Sequence, residues 1–279
     1  CAGVPVLSPT ASTGRLTEID NNFFQMTPSM TNLSKALAEF ATQDLRLDSV
    51  ALIYPDDLDG QRAANAFLDI ARRAGVNVFF MRSFSPAAAD FRDLFIDLKV
   101  QLLPDEFDPE LYIDKYGDTL ETEAVPLTVP AICIPATQAQ LELIIPQVNF
   151  YKIQTTFLGG DTWGAERILN LPELRTREVY FADNFFVLPE DREYNYFYNQ
   201  FYNRFDHSPD EVAAQGYDAA RLLIRAISNS GPEPGKVQTY LESALFDGAL
   251  AGKVKIGPDH ENVAVHIYRA LAGEVQRVN

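Results

Sequence analysis

The order of strand-like and helix-like segments constrains the fold of this chain more than any other feature. Residues 49–54 form a continuous β-prone run, which is typical of a strand buried on both faces. Residues 61–74 then carry their apolar side chains on one helical stripe, and Gly75 is a common type of residue just after a helix. The alternation continues with strands predicted at 76–81, 131–134, 156–158 and 179–181 and helices around 91–98 and 141–148. This order predicts an α/β fold with a doubly wound parallel sheet.

Two stretches depart from this alternation. Pro146 lies within the apolar stripe of the helix predicted around 141–148, where it should kink or end the helix. Residues 100–129 lack clear periodicity and are rich in carboxylates, so we expect a solvated acidic insertion there. A calcium site is the alternative, but the insertion lacks the loop of spaced carboxylates and glycine that binds calcium tightly.

In the last third of the chain, the pattern of apolar residues predicts two helices followed by several strands. The first helix, at 194–205, should place in the core a face formed by Tyr194, Phe197, Tyr198, Phe201 and Phe205. Tyr196 and Tyr202 lie off that face, where they could form a partner surface. The second helix starts near Pro209, and its residues in helical register are Ala213, Tyr217, Ala220, Leu223, Ile224 and Ile227. Strands are predicted at 252–256 and 263–268, with a short one at 271–275.

The charge and the cysteines limit the classes of function. With 23 basic and 39 acidic residues, the 279-residue chain has a net charge of −16. This charge repels phosphate backbones and anionic lipids, which argues against nucleic-acid and membrane-surface roles. No run of 18 apolar residues occurs. Cys133 lies in a β-prone run and is expected to be a buried small apolar residue, whereas Cys1 raises the alternative of a lipid anchor, as in bacterial lipoproteins.

Motifs of catalysis and metal binding are missing from the sequence. It contains no glycine-rich phosphate loop, no nucleophile elbow, and no paired histidine or cysteine spacing for a metal. The sequence therefore predicts a binding protein that is not an enzyme and needs no cofactor.

Five segments in order resemble the type I periplasmic binding proteins, in particular the branched-chain amino-acid receptors. They are VPVLSPTAST at 4–13, FFQMTPS at 23–29, FLGGD at 157–161, AAQGYDAA at 213–220 and FDGALAG at 246–252. LELIIPQV at 141–148 and GGDTWG at 159–164 are similar to a subgroup of penicillin-binding-protein activators, which are lipoproteins that regulate cell-wall synthases through protein contact.

The resemblance implies two lobes, of which the first is incomplete in this chain. Chains of the family begin about three strand–helix units earlier, which is roughly 100 residues. We expect lobe one at 1–27 and 206–260, and lobe two at 28–205 and 261–279. Residues 4–7 should then form an exposed hydrophobic edge. The chain should either associate with itself through the incomplete lobe or be completed by the rest of a longer polypeptide.

The resemblance also implies a ligand site between the lobes, beyond the carboxyl ends of the strands. Amino-acid receptors of the family hold the ligand carboxylate at the loop that corresponds to Thr10, Ala11 and Ser12. They hold the ammonium with an acidic residue at the position of Asp161. The alternatives are that Thr10 and Ser12 only cap a turn and that Asp161 only caps the helix near Trp163.

Departures from the family pattern change the expected ligand. Aromatic residues that stack on the ligand in amino-acid receptors correspond to Asp59 and to a position near Thr137 or Gln138. A carboxylate at Asp59 removes apolar surface and favours a cationic or hydroxyl-rich ligand. Trp163 could offer a substitute stacking surface, with core packing as the alternative.

Two functions follow from the resemblance. The first is extracytoplasmic recognition of an amino acid or related polar ligand, as in solute-binding components of ABC transporters that deliver the ligand to a membrane permease. The alternative is a lipoprotein regulator that activates a cell-wall synthase through protein contact. The fold alone does not choose between them.

Overall fold

The computed structural model describes residues 3–13, 16–103, 126–188, 190–250 and 252–278. Its first elements are β1 (Val6–Ser8), α1 (Leu16–Ile19), β2 (Phe23–Gln25), α2 (Met30–Gln43), β3 (Ser49–Pro55), α3 (Leu58–Arg73), β4 (Asn77–Phe84) and α4 (Arg92–Leu102). Next come β5 (Leu127–Cys133), α5 (Gln138–Phe150), β6 (Ile153–Gly159), α6 (Glu166–Leu169), β7 (Val179–Asp183), α7 (Arg192–Phe205) and α8 (Glu211–Ser230). The last are α9 (Pro234–Glu242), β8 (Leu245–Ala249), β9 (Gly252–Lys255), β10 (His266–Leu271) and β11 (Glu274–Arg277).

A seven-stranded sheet with the order β11-β10-β7-β6-β5-β3-β4 confirms the predicted α/β class. The pairs β3–β4, β3–β5, β5–β6 and β6–β7 are parallel, and β11 is an antiparallel edge strand beside β10. Most residues of β3 and all of β7 are buried, and in β5 and β6 the last three residues are buried, because helices cover the sheet.

The strand order distributes the helices over both faces of this sheet. The chain moves outward from β3 to β4 and then back across β3 to β5. Since such crossovers are right-handed, α3 lies on one face and α4 on the other, together with α5. Hydrogen bonds agree with this placement, because the Gln147 side chain in α5 accepts from the N–H of Phe91 and donates to the carbonyl of Ala89, both at 2.9 Å.

Two prolines lie inside regular elements of the sheet region. Pro130 lies where the pairing between β5 and β6 shifts register. No backbone N–H is needed for the sheet at this position, so proline, which lacks one, is accommodated. Pro146 does not end α5, which continues to Phe150. Its ring nitrogen has no hydrogen to donate to the carbonyl of Glu142, a residue that is only half-buried.

The acidic insertion and Cys1 fall largely beyond what the structure describes. Helix α4 extends to Leu102 and β5 begins at Leu127. Residues 104–125 lie outside the described residues, and so does most of the predicted insertion with its alternative calcium site. Cys1 lies outside them too. Cys133 is fully buried in β5, and this burial raises the pKa of its thiol.

The chain divides into two compact units. Unit one comprises Cys1–Leu33 and Asp183–His266, and unit two comprises Ser34–Ala182 and Ile267–Asn279. The sequence placed the boundaries after residues 27, 205 and 260 instead. Helix α7 lies in unit one because Phe197 forms a small core there with Ala214 and Leu250.

Unit one contains the parallel pair β1–β2, the antiparallel hairpin β8–β9 and the helices α7, α8 and α9. Leu222 and Ala226 of α8 pack in its main core with Val237 and Leu241 of α9. Phe24 of β2 joins the same core. Val4 and Val6 at the start of β1 are about half exposed.

The helices of unit one differ from the sequence prediction in which residues they bury. In α7, Phe205 is exposed, because the helix ends at Asp206 in a left-handed conformation and its last turn extends past the core. In α8 the residues in the core are Ala214, Gln215, Asp218, Ala219, Leu222 and Ala226. These residues form a different face of the helix from the apolar stripe that the sequence predicts to be buried. The face that they form is buried because β2 and α9 pack against it.

The buried face of α8 includes a carboxylate. Oδ2 of Asp218 accepts the N–H of Leu250 at 2.8 Å, and Nη1 of Arg221 lies 3.6 Å from Oδ1. Burial raises the pKa of Asp218 to about 6, although the Leu250 N–H and Arg221 act in the opposite direction. Burial of the charged form therefore outweighs the two favourable interactions.

The raised pKa predicts that neutralising Asp218 stabilises the fold at neutral pH. The contribution of the protonated carboxyl to the stability of the fold is fully present below pH 3.8, the pKa of this group in the unfolded chain. It is lost as the pH rises through about 6, the pKa in the folded chain. We expect Asp218→Asn to be more stable than the parent at about pH 7.5, by up to about 3 kcal/mol, and equally stable near pH 4. Urea unfolding across this pH range measures the difference.

Asp247→Asn is the matched control, because Asp247 is exposed in the β8–β9 hairpin beside Lys253. Its effect on stability should be small at both pH values. A less stable Asp218→Asn at neutral pH would mean that the Leu250 and Arg221 interactions outweigh burial.

Candidate functional site

The predicted site residues divide between the two units. Thr10, Ala11 and Ser12 follow β1 in unit one, whereas Asp59, Thr137, Gln138, Asp161 and Trp163 lie in unit two. Each group is described within its own unit below.

In unit two, three neighbouring parallel strands each place a polar residue at the same edge of the sheet. Asp59 follows β3, Thr137 follows β5 and Asp161 follows β6. Since β5 lies between β3 and β6, the strands that precede the two carboxylates are two strand spacings, or about 10 Å, apart. The structure thus brings these predicted residues to one edge, where α/β proteins bind ligands.

Two side chains tie the loop after β6 to the loop after β5. Oγ1 of Thr162 donates to the carbonyl of Ala136 at 2.7 Å. Nε1 of Trp163 donates to the carbonyl of Ile134 at 2.9 Å. These bonds are buried or half-buried and hold the loops in one arrangement.

Trp163 is fully buried, so its position corresponds to the core-packing alternative. Its ring lies 5.1 Å from that of Phe157, and it occupies the space beside Gly159 that a side chain there would need. The indole therefore offers no face for stacking on a ligand. It supports the loop that carries Asp161.

Asp161 begins a short 3₁₀ helix, Asp161–Gly164, and is half-buried. Its Oδ1 accepts the N–H of the next residue, Thr162, at 2.8 Å, whereas the N-cap position of this helix is Gly160 and no side chain caps it. Burial raises the pKa of Asp161, and backbone N–H donors only partly oppose the rise. A desolvated carboxylate of this kind is stabilised when a cation approaches it.

Thr137 and Gln138 have hydrogen-bond partners within unit two. Thr137 is the N-cap of α5, and its N–H donates to Oε1 of Gln140 at 2.9 Å. Nε2 of Gln138 donates to Oε1 of Glu142 at 2.9 Å. Asp59 lies in the first turn of α3, which Asp57 caps by accepting the N–H of Gly60.

In unit one, the loop after β1 is held by hydrogen bonds that do not involve the hydroxyls of Thr10 and Ser12. The N–H of Ala11 donates to Oγ of Ser8 at 3.3 Å, and Oγ1 of Thr27 donates to the carbonyl of Pro9 at 2.9 Å. Thr10 and Ser12 are exposed, and neither hydroxyl has a hydrogen-bond partner among the residues that the structure describes. Both hydroxyls are available to a ligand.

Sequence analysis missed two cavities. One, of about 520 Å³, lies at the end of β4 in unit two and is lined by Arg82, Ser83, Phe84, Ser85, Ala88, Asp90, Phe91, Arg92, Asp93 and Leu94. The other lies in unit one and has a volume of about 10 Å³, with Asp218, Gln215 and Lys253 in its lining. Only the carboxylate at Asp218, within an otherwise apolar stretch of helix, gave a signal in the sequence.

The described ranges contain no group of three or more His, Cys, Asp or Glu side chains placed to hold a metal ion. Among the helices that the structure describes, none has both the length and the hydrophobicity of a membrane span.

Unit two thus carries acidic and hydroxyl groups at the carboxyl edge of a mostly parallel sheet, which is the edge where open α/β sheets bind ligands. The family model for periplasmic binding proteins matches residues 2–271, so the chain belongs to the periplasmic binding protein family. This confirms the family and the type I fold that the motifs suggested; the activator subgroup has no such confirmation. No curated protein matches the chain.

Solved structures share this fold at low identity. A leucine-binding protein LivK from Thermotoga maritima is 18% identical with a TM-score of 0.69, and the match covers 99% of this chain and 72% of that one. A putative branched-chain amino-acid ABC transporter protein from Rhodospirillum rubrum is 17% identical with a TM-score of 0.78, covering 99% and 73%. A Rhodopseudomonas palustris solute-binding protein in complex with benzoate is 15% identical with a TM-score of 0.67, covering 99% and 71%.

Replacement of Gly159 tests how the Asp161 loop is supported. A Cβ there would overlap the indole of Trp163, which cannot move without losing its bond to Ile134. We expect Gly159→Ala to lower the free energy of unfolding by about 1–3 kcal/mol. Urea unfolding measures the loss.

Gly216→Ala is the matched control, because nothing lies within 4 Å of a Cβ at this position of α8. It should leave stability unchanged or raise it by about 0.5–1 kcal/mol. Equal stability of Gly159→Ala and the parent would show that the Trp163 loop is not held as the geometry implies.

Proposed function

We propose that this protein recognises a small polar ligand outside the cytoplasm, as the solute-binding component of an ABC transporter. The half-buried carboxylate of Asp161, at the carboxyl edge of the sheet, is the observation that carries the proposal. Family membership supports it, since the related solute-binding proteins bind small ligands such as leucine and benzoate.

Asp161 is suited to bind the ammonium group of a ligand. Its carboxylate is desolvated and accepts only backbone N–H donors among its assigned hydrogen bonds, so it retains lone pairs for a cation. In unit one, the hydroxyls of Thr10 and Ser12, with the backbone at Ala11, are suited to a ligand carboxylate. Neutral donors satisfy such a group without a buried counter-charge.

Asp59 shapes the class of ligand. It adds a second carboxylate at the same edge of the sheet as Asp161, and Thr137 and Gln138 follow the strand that lies between β3 and β6. Two carboxylates with a hydroxyl and an amide favour a ligand that carries amino or hydroxyl groups along its length. We therefore propose an amino acid with a polar or basic side chain, or a related cationic solute.

The net charge of −16 adds long-range attraction for such a ligand. The proposed partner in transport is a membrane permease, and the proposed location is extracytoplasmic. The regulator of cell-wall synthases receives no support from the reported matches, which are solute-binding proteins.

Thermal shift with a panel of amino acids, polyamines and aromatic acids tests the function. A ligand at 100 times its Kd adds about 2.7 kcal/mol of stability, which is a readily measured shift. We expect basic and polar amino acids to give larger shifts than leucine or benzoate. A panel without any stabilising member would contradict small-molecule recognition by this chain.

Asp161→Asn tests the role of the carboxylate once a ligand is found. Loss of a charge-assisted hydrogen bond costs about 1.5–3 kcal/mol, so calorimetry should give a Kd about 10- to 100-fold weaker. Asp69→Asn is the matched control, because Asp69 is exposed on α3 of the same unit. Equal Kd values for Asp161→Asn and Asp69→Asn would exclude Asp161 as the ammonium ligand.

A further inference from the structure

The larger cavity of unit two lies apart from the strand that carries Asp161. It has a volume of about 520 Å³ and follows β4, which is the last strand at one end of the sheet order. Asp161 follows β6, and the strands β6 and β4 are three strand spacings, or about 14 Å, apart. Small-molecule sites have volumes of about 300–1,000 Å³, so this cavity is large enough for a ligand of its own.

Side chains of α5 hold the loop that forms one wall of the cavity. Nε2 of Gln147 donates to the carbonyl of Ala89, and its Oε1 accepts the N–H of Phe91, both at 2.9 Å. Nε2 of Gln140, which is only 7% exposed, donates to the carbonyl of Pro86 at 3.3 Å. Because these bonds fix the loop to a helix, the cavity is formed before a ligand arrives, which lowers the cost of binding.

The buried part of the cavity lining is apolar and mostly aromatic. It consists of Phe84, Phe91 and Leu94, which are 7%, 2% and 8% exposed. The two rings meet edge to face, with centroids 5.2 Å apart and planes at 84°. An aromatic ring of a ligand would find both a ring face and a ring edge to pack against.

The exposed part of the lining carries charges of both signs. Arg82, Arg92, Asp90 and Asp93 line the cavity, and their formal charges sum to zero although the whole chain has a net charge of −16. Binding sites complement the charge of what they bind. This lining therefore matches a ligand with one positive and one negative group better than it matches an anion or a cation.

Two of these side chains are suited to bind the charges of the ligand. Arg82 donates to Asp97, which fixes its guanidinium, and the five N–H donors of this group leave others for a ligand carboxylate. Asp90 has a structural task, because its Oδ1 accepts the N–H of Arg92 at 2.9 Å. The carboxylate of Asp93 has no hydrogen bond or ion pair within the part of the chain that the structure describes, so it can accept an ammonium group.

We infer that this cavity is a second binding site, which takes an aromatic zwitterion. The ligand carboxylate binds Arg82, its ammonium group binds Asp93, and its ring packs on Phe84 and Phe91. Ion pairs in an exposed site contribute little, so the Kd should be about 1 mM. The site uses no group of the edge around Asp161, and the inference is therefore independent of the proposed function.

Calorimetric titration of the chain with four related compounds tests the chemistry of the site. L-phenylalanine has the ring and both charges, whereas phenylpropionate lacks the ammonium group, phenethylamine lacks the carboxylate and L-alanine lacks the ring. We expect L-phenylalanine to bind with a Kd of about 1 mM and each of the others to bind at least about threefold more weakly. No binding of L-phenylalanine, or an equal Kd for any of the other three, would overturn the inference.

Substitutions in the lining test the location. Ala88 is a half-buried lining residue, so Ala88→Trp should fill the cavity and abolish binding of L-phenylalanine. Ala87→Trp is the matched control, because Ala87 is exposed and does not line the cavity. Asp93→Asn keeps the size of the side chain and should raise the Kd by at least about threefold, whereas Asp69→Asn on α3 should leave it unchanged.

Asp161→Asn separates the two sites of unit two. We expect this variant to bind L-phenylalanine like the parent, since Asp161 does not line the cavity. Thermal unfolding of each variant shows that the fold is retained, and Asp93→Asn decides the result if Ala88→Trp does not fold. Binding that is lost in Asp161→Asn but kept in the lining variants would overturn the second site and leave the proposed function standing.

Discussion

The hydrogen bond from the indole N–H of Trp163 to the carbonyl of Ile134 is the interaction on which the acidic edge of unit two depends. A buried indole must find an acceptor, and the first carbonyl beyond β5 provides one. The bond draws the loop after β6 against the loop after β5, and Thr162 adds a second tie through Ala136. Asp161 immediately precedes these two anchored residues, so its carboxylate stays half-buried although it would be better solvated elsewhere.

The regular part of this arrangement is predictable from sequence. Strand β3 and helix α3 appear within a few residues of their predicted bounds, because each has one clear period and a defined end. The positions of Asp59 and Asp161 at one edge follow from parallel strands whose carboxyl ends align. The role of Trp163 could not be predicted in this way. Its direction depends on the empty space at Gly159 and on a carbonyl 29 residues away, and no local pattern records either.

Helix α8 shows a second limit of sequence patterns. Its apolar residues fall on two faces, so periodicity predicts a helix and its approximate length but does not choose the face that is packed. That choice is made by β2, which is distant in sequence, and by α9. The unit boundary near Asp183 has the same origin. The contact of Phe197 with Ala214 and Leu250, more than the pattern of α7 itself, assigns that helix to unit one.

Among the residues that the structure describes, burial raises the pKa of two carboxylates, Asp161 and Asp218, whose surroundings differ. Asp218 has a cation nearby in Arg221 and accepts the N–H of Leu250, so its charge is compensated in part from within unit one, although burial still outweighs both interactions. Asp161 has no ion pair with any residue that the structure describes, and the N–H of Thr162 is its assigned donor. The cost of burying Asp161 is therefore offset only in part, by backbone N–H donors, and by no counter-charge among the described residues. A ligand cation that pairs with Asp161 would not have to break an existing salt bridge. The net charge of −16 raises the concentration of cations near the protein.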